Sequence, residues 1–141
     1  MKMNNLLPAA FAALSCIMAS QALAHDPRSG TVTPKFREAI PNIPGKSLVT
    51  VEVDYAPGAA SQPHTHAKSA FIHANVVSGR VESKVNDGPA HIYKAGEGWS
   101  EPPGAVHSIS RNASQTEPAR LLAIFVTDTS ETKLTFPVKQ N

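Results

Sequence analysis

Residues 58–66 read GAASQPHTH and residues 96–107 read GEGWSEPPGAVH, and these two segments carry the pattern that decides the fold. In the first segment His64 and His66 are two residues apart, and side chains with this spacing point to the same face of an extended strand. A helix would need spacings of three or four residues, and Pro63 disfavours a helix here. We therefore predict a His-x-His strand whose two imidazoles reach one ion.

The chain beyond residue 46 divides into short strands separated by turns. Residues 48–55 alternate between apolar and polar side chains, which is typical of a half-buried strand. Residues 86–89 read NDGP, a strong turn signal. Further strands are predicted at residues 70–78, 80–85, 90–94, 99–101, 106–110, 119–127 and 133–138. Because no convincing helical period appears after residue 24, the pattern predicts an all-β sandwich or barrel.

With the turns placed, the two segments resemble the two motifs of the cupin superfamily. The first has a glycine followed after five residues by the histidine pair, and Gly79 lies where that motif ends. The second has a glycine followed after five residues by Pro102, and His107 comes after the proline corner. The resemblance covers residues 48 to about 127. It implies an all-β, cupin-type double-stranded β-helix, or jelly-roll barrel, with a metal ion held by His64, His66 and His107.

The chain departs from the family pattern where a fourth ligand is expected. The family's first-motif glutamate falls at Ala70 or Phe71 when counted from the histidine pair, and at Ile72 when counted back from the closing glycine. None of these residues has a carboxylate. In the second motif Arg111 stands at the place of the family's asparagine, and Asn112 follows one residue later. The resemblance therefore implies a three-histidine site.

Three neutral imidazoles suit one divalent ion of borderline softness, which means Fe, Mn, Ni, Cu or Zn. Three protein ligands leave coordination positions open for water or substrate. Without a carboxylate ligand the site would be more positive than the usual cupin arrangement, which favours anionic ligands such as enolates or carboxylates.

Five other residues near the motifs have competing interpretations. Glu101 directly precedes the proline corner and is the candidate catalytic residue: it is either a fourth ligand, a general base or a solvated edge residue. His73 is expected to point away from the ligands unless a bulge reverses its register. We expect Trp99 and Tyr93 in the barrel core and assign His91 a structural role.

Residues 1–24 predict a cleaved signal peptide. Lys2 precedes an apolar, alanine-rich run, and residues 22–24 read ALA, a pattern that signal peptidases accept. The run is shorter than the roughly 18 residues of a membrane-spanning helix and contains Pro8. The only cysteine, Cys16, lies in this segment, so the mature chain can form no disulfide. We therefore expect a periplasmic or secreted protein.

The mature chain is predicted to have two parts. Residues 25–46 contain four prolines and form an extended N-terminal arm, and residues 47–141 form the cupin barrel domain. The resemblance adds the expectation of a homodimer that pairs through the arms. His25 would become the amino-terminal residue, where amine and imidazole can chelate copper, but no second histidine lies beside it.

Charge and motifs exclude several classes of function. Removal of residues 1–24 takes away Lys2 alone, so 13 basic residues become 12 against 11 acidic ones. With near-neutral charge and no basic stripe, we expect no nucleic-acid partner, and we expect no membrane partner after signal cleavage. The chain has no Gly-x-Ser-x-Gly elbow, phosphate-binding glycine loop or dinucleotide fingerprint.

The sequence is compatible with three functions, and all of them concern a small-molecule ligand or substrate. Three-histidine cupins suggest a metal-dependent dioxygenase that cleaves a small enolisable or diketone-like compound, with the ion as Lewis acid. The alternative is a non-catalytic module that binds or senses a small ligand. A barrel that has lost its metal is the third possibility.

Overall fold

The computed structural model describes residues 28–138, which form ten β-strands. The predicted signal peptide and His25 lie outside the described residues. No helix among the described residues is long and apolar enough to cross a membrane. The strands are β1 (Thr31–Ala39), β2 (Lys46–Tyr55), β3 (His64–His66), β4 (Phe71–Ser78), β5 (Arg80–Val85), β6 (His91–Lys94), β7 (Gly98–Glu101), β8 (Val106–Asn112), β9 (Ala119–Asp128) and β10 (Thr135–Pro137).

The strands form two antiparallel sheets of five, in the orders β1-β2-β9-β4-β7 and β10-β3-β8-β5-β6. The core lies between the sheets, where Val81 of β5 packs against Val53, Ala74 and Leu121 of the first sheet. The predicted all-β jelly-roll architecture is confirmed, and each strand predicted beyond residue 46 is present with small shifts at its ends.

The alternating pattern of β2 determines which face is buried. Val49, Val51, Val53 and Tyr55 are buried, whereas the residues between them are only partly buried. Burial of a valine side chain stabilises a fold by roughly 1.5–3 kcal/mol, so this face alone holds the strand in register. The whole strand pairs with β9, from Lys46 opposite Asp128 to Tyr55 opposite Ala119.

Part of the predicted N-terminal arm is a sheet strand. Residues 31–39 form β1, which pairs antiparallel with β2 at the edge of the first sheet. Its register shifts between Pro34 and Phe36, which suits a proline because an edge strand or bulge tolerates the missing N–H. Every residue of β1 is exposed, including the apolar Val32 and Phe36.

A bulge in β8 explains the displaced asparagine of the second motif. Lys84 of β5 lies opposite Ile109 while Val85 lies opposite His107, so β8 has one extra residue between those two positions. His107 and Asn112 are consequently both buried although they are an odd number of residues apart. The Asn112 amide donates to the carbonyls of Ala56 and Glu117 and so ties two loops together.

The turn between β4 and β5 requires glycine. Gly79 has φ of 72°, and a Cβ at this position would lie 2.5 Å from the Pro118 carbonyl oxygen. Any other residue would therefore be strained both by its backbone and by its neighbour. This glycine is the one that closes the first motif.

Candidate metal centre

Strand pairing brings the three predicted histidines together. His64 of β3 lies directly opposite His107 of β8, and paired residues of an antiparallel ladder point to the same face. His66 is two residues further along β3 and shares that face. One ligand atom from each of the three rings lies within 4.8 Å of those of the others. The three residues are therefore positioned to bind one metal ion.

Hydrogen bonds orient two of the three rings. His64 Nδ1 donates to the Gln62 carbonyl oxygen at 2.8 Å, which leaves its Nε2 as the free nitrogen. His107 Nε2 lies 2.9 Å from Ser83 Oγ, so its Nδ1 is the nitrogen on the side of the cluster. Metal-binding histidines commonly have such a bond on the nitrogen that does not face the ion.

Glu101 contacts the three-histidine cluster and is not a solvated edge residue. Its side chain is only 2% exposed. Glu101 Oε2 lies 3.0 Å from His66 Nε2, and Oε1 lies 3.4 Å from His107 Nδ1. The indole N–H of Trp99 donates to Oε1 at 2.9 Å. Sequence reasoning had left open whether this carboxylate faces the site, and the structure places it against two of the histidines.

Of three buried atoms without a hydrogen-bond partner at the site, two lie close together and fit a metal ion. His66 Nδ1, His66 Nε2 and Glu101 Oε2 have no hydrogen-bond partner within the described chain. Nε2 and Oε2 are close, but they do not meet hydrogen-bond geometry, so proximity alone does not satisfy them. Such groups each cost about 1–3 kcal/mol when left unsatisfied.

The electrostatics favour ligand-competent protonation states at neutral pH. Burial lowers the pKa of His107 to about 4, although the Glu101 carboxylate opposes the shift. Burial also lowers the pKa of His64, against the opposing effect of the Gln62 carbonyl. For Glu101, burial raises the pKa, but His66, His107 and Trp99 together outweigh it and the net pKa is lowered. The site thus holds neutral imidazole at His64 and His107 beside an ionised carboxylate.

The cluster forms part of the wall of a cavity of about 390 Å³. The other walls are mainly apolar and come from β2, β4 and β9, with Val53, Leu121 and Phe125 among them. Phe125 also contacts the His66 ring, with 5.8 Å between ring centroids. Val32 of β1, the first strand, and Phe136 of β10, the last strand, also line the cavity. A small molecule in this cavity would contact both the cluster and an apolar surface.

The remaining predicted residues lie outside the cluster. His73 is exposed, as its parity predicted, and the register shift in β4 falls after it, between Val76 and Ser78. Trp99 is buried in the core as predicted, and Tyr93 is half-buried against it. His91 is exposed and contacts the Tyr93 ring.

Sequence reasoning missed one residue of the site, Ser83. It is buried beside His107, and it lies on the same face of β5 as Val81. Its alternation with charged neighbours indicated an inward position, but nothing in the sequence indicated which residue of β8 it would face.

A family profile described as "Cupin domain" matches residues 51–125, which is more than half of the chain. The chain belongs to the cupin family. The resemblance inferred from the two motifs is therefore confirmed, and the matched range includes His64, His66, Glu101 and His107. A search of curated proteins found no match.

Three solved structures similar to this cupin show the breadth of the fold. A Klebsiella pneumoniae protein with a double-stranded β-helix domain is 20% identical with a TM-score of 0.60, over 77% of this chain and 85% of that one. Oxalate oxidase in complex with the substrate analogue glycolate is 21% identical with a TM-score of 0.58, over 81% of this chain and 59% of that one. The lyase DddQ of Ruegeria pomeroyi, which acts on DMSP, is 17% identical with a TM-score of 0.60, over 78% of this chain and 52% of that one. At these identities the similarity concerns the fold.

Proposed function

We propose that this cupin binds one divalent metal ion and is a dioxygenase-like enzyme that acts on a small enolisable or diketone-like compound. The observation that carries the proposal is the location of the three-histidine cluster in the wall of an apolar cavity. A site that only stabilised the fold would be enclosed by packed protein, whereas these histidines line a cavity that a substrate can enter.

His64, His66 and His107 would hold the ion, which belongs to the set Fe, Mn, Ni, Cu or Zn. When bound, such an ion supplies Lewis acidity toward substrate oxygens and, if it is redox-active, a route for electrons to dioxygen. Ser83 and the Gln62 carbonyl fix two of the rings, so the ligands are oriented before the ion arrives.

The cavity defines the kind of compound that fits. Its volume of about 390 Å³ lies near the lower end of small-molecule pockets, which span about 300–1,000 Å³. Its walls are mainly apolar. The substrate class is therefore a small compound with an apolar body and one or two oxygen atoms at the end that faces His64 and His107.

The proposed reaction is balanced with dioxygen as the only co-substrate. A carbon–carbon bond of a diketone-like substrate breaks, and one oxygen atom of dioxygen is added to each of its carbons, which gives a carboxylic acid and a carbonyl product. The apolar walls contributed by Val53, Leu121 and Phe125 would exclude water from the substrate during this step. Two structures with this fold, an oxalate oxidase and a DMSP lyase, carry enzyme names, which supports catalysis only by analogy.

A binding or sensing module is the second candidate, and one observation favours it. The titratable residues that line the cavity within residues 28–138 are His64, His66, His107, Glu101 and Tyr55. The Tyr55 hydroxyl is engaged with Ser61 and Ser110, at 2.8 Å each. Few groups are thus available for acid–base work besides the cluster itself.

Oxygen consumption by metal-loaded protein tests the proposal. Protein loaded separately with Fe, Mn, Ni or Cu is mixed with a panel of small β-diketones and enolisable keto acids, and oxygen uptake is followed with an electrode. We expect uptake with at least one pair and none for the His107→Ala variant under the same conditions. Tight binding of a panel compound without oxygen uptake would favour the binding module. Neither uptake nor binding with any metal would refute both functions.

We also propose export of the protein, on the evidence of residues 1–24 alone. Expression of the full chain in a bacterium with a periplasm, followed by amino-terminal sequencing, tests this. A mature chain that begins at His25 in the periplasmic fraction is expected, and an uncleaved chain in the cytosol would contradict export.

A further inference from the structure

We infer that Glu101 is the fourth metal ligand, a carboxylate that has moved from β4 to the neighbouring strand β7. The inference rests on the proposed metal site and adds a residue that the second motif's pattern does not include. It replaces the three-histidine site expected from the sequence with a site of three histidines and one carboxylate.

Strand register shows how the carboxylate can move without leaving the site. Of the three places counted for the family's glutamate, Phe71 is exposed, Ala70 is buried but precedes the strand, and Ile72 is the one that faces inward from β4 itself. Ile72 lies directly opposite Glu101 in the β4–β7 ladder. Opposed residues of an antiparallel pair share one face with Cβ atoms about 4.5–5.5 Å apart. A carboxylate at residue 101 therefore starts beside the position from which the family's carboxylate starts.

The orientation of the carboxylate is that of a ligand. Trp99 donates to Oε1 and holds the group in place, while Oε2 is buried without any hydrogen bond and lies 3.0 Å from His66 Nε2. A cation bound by both Glu101 Oε2 and His66 Nε2 would satisfy the two atoms.

The burial of the Glu101 carboxyl group also supports its role as a metal ligand. The Glu101 side chain is only 2% exposed, and no Lys or Arg of the described chain forms an ion pair with it, so a metal ion would be a favourable partner for this buried carboxyl group. A divalent ion beside neutral imidazoles compensates the carboxylate charge and leaves one net positive charge on the site. The site is then less cationic than a three-histidine centre, although it still attracts an anionic or enolisable ligand.

Co²⁺ affinity and the visible spectrum of the Co²⁺ complex test the inference without any substrate. The variants are Glu101→Gln, which keeps the shape of the side chain but removes its charge, and Glu117→Gln, which removes the same charge from an exposed site away from the cluster. A double variant, Ile72→Glu with Glu101→Gln, returns the carboxylate to β4. Circular dichroism establishes that each variant is folded.

We expect Glu101→Gln to bind Co²⁺ more than about 100-fold more weakly, because loss of a second-shell partner alone costs 10–100-fold. We also expect its ligand-field bands to shift, whereas Glu117→Gln should match the wild type in both measurements. The double variant should regain at least tenfold of the lost affinity. That recovery also serves as the test if the single variant does not fold.

Other outcomes separate the two proposals. If wild-type protein binds no Co²⁺, the proposed metal site itself fails. If wild-type protein binds Co²⁺ but Glu101→Gln retains the wild-type spectrum, with any loss of affinity below 100-fold, Glu101 is not a ligand and the inference is overturned. A folded double variant without recovered affinity would overturn the equivalence of the two strand positions.

Discussion

Acid should destabilise the metal-free protein through His107, and the His107→Asn variant should lack this part of the pH dependence. Burial lowers the pKa of His107 to about 4 from its ordinary value of 6.5, so the folded state resists protonation. In the unfolded state the same group is protonated as pH falls through 6.5. The unfolded state therefore binds more protons between pH 6.5 and about 4, and stability decreases as pH falls across this window.

The size of the effect follows from the same shift. Between pH 7 and pH 4.5, a group with these two pKa values lowers the free energy of unfolding by about 2 kcal/mol. For a domain of this size, that corresponds to a decrease in Tm of roughly 8 °C. His64, whose pKa burial also lowers, adds to the loss in both proteins.

Scanning calorimetry of chelator-treated protein at several pH values between 7 and 4.5 measures the difference. The wild type should lose about 2 kcal/mol more stability over this range than His107→Asn does. His73→Asn is the matched control because His73 is exposed, and it should follow the wild type. Parallel curves for wild type and His107→Asn would refute the reasoning that His107 is held neutral by burial.

Two further predictions concern the frame of the site and its cavity. Asn112→Ala should lower the free energy of unfolding, measured in urea, by about 3 kcal/mol, because the carbonyls of two loops lose their hydrogen-bond donor. A loss below about 1 kcal/mol would contradict the role assigned to this amide. Ala123→Phe places a larger side chain on the cavity wall, so it should lower the affinity for a bound panel compound at least tenfold in titration calorimetry while Co²⁺ binding stays unchanged. Undiminished affinity would show that the compound binds elsewhere.

The residue patterns were sufficient for the strands and the three histidines because these depend on local signals. Alternation in β2, the turns at glycine and proline, and the two-residue spacing of His64 and His66 act over a few residues. The convergence of His107 on that pair came from the resemblance to the cupin motifs. The structure explains it by the pairing of β3 with β8.

The position of Glu101 could not be predicted because it depends on long-range register. Nothing near residue 101 indicates that it pairs with Ile72, nearly thirty residues earlier in the chain. The bulge in β8 is also a property of the paired strands, because the extra residue is visible only against β5. Export and dimerisation stay predictions, since they depend on residues 1–24 and on a partner chain.

Elemental analysis of the protein purified without chelator tests the central claim most directly. The full chain is expressed, and bound Fe, Mn, Ni, Cu and Zn are measured per chain in the wild type and in a folded His64→Ala, His107→Ala double variant. We expect about one equivalent of a single divalent metal in the wild type and essentially none in the variant. No metal in the wild type after reconstitution with all five ions, or equal metal in both proteins, would contradict this expectation.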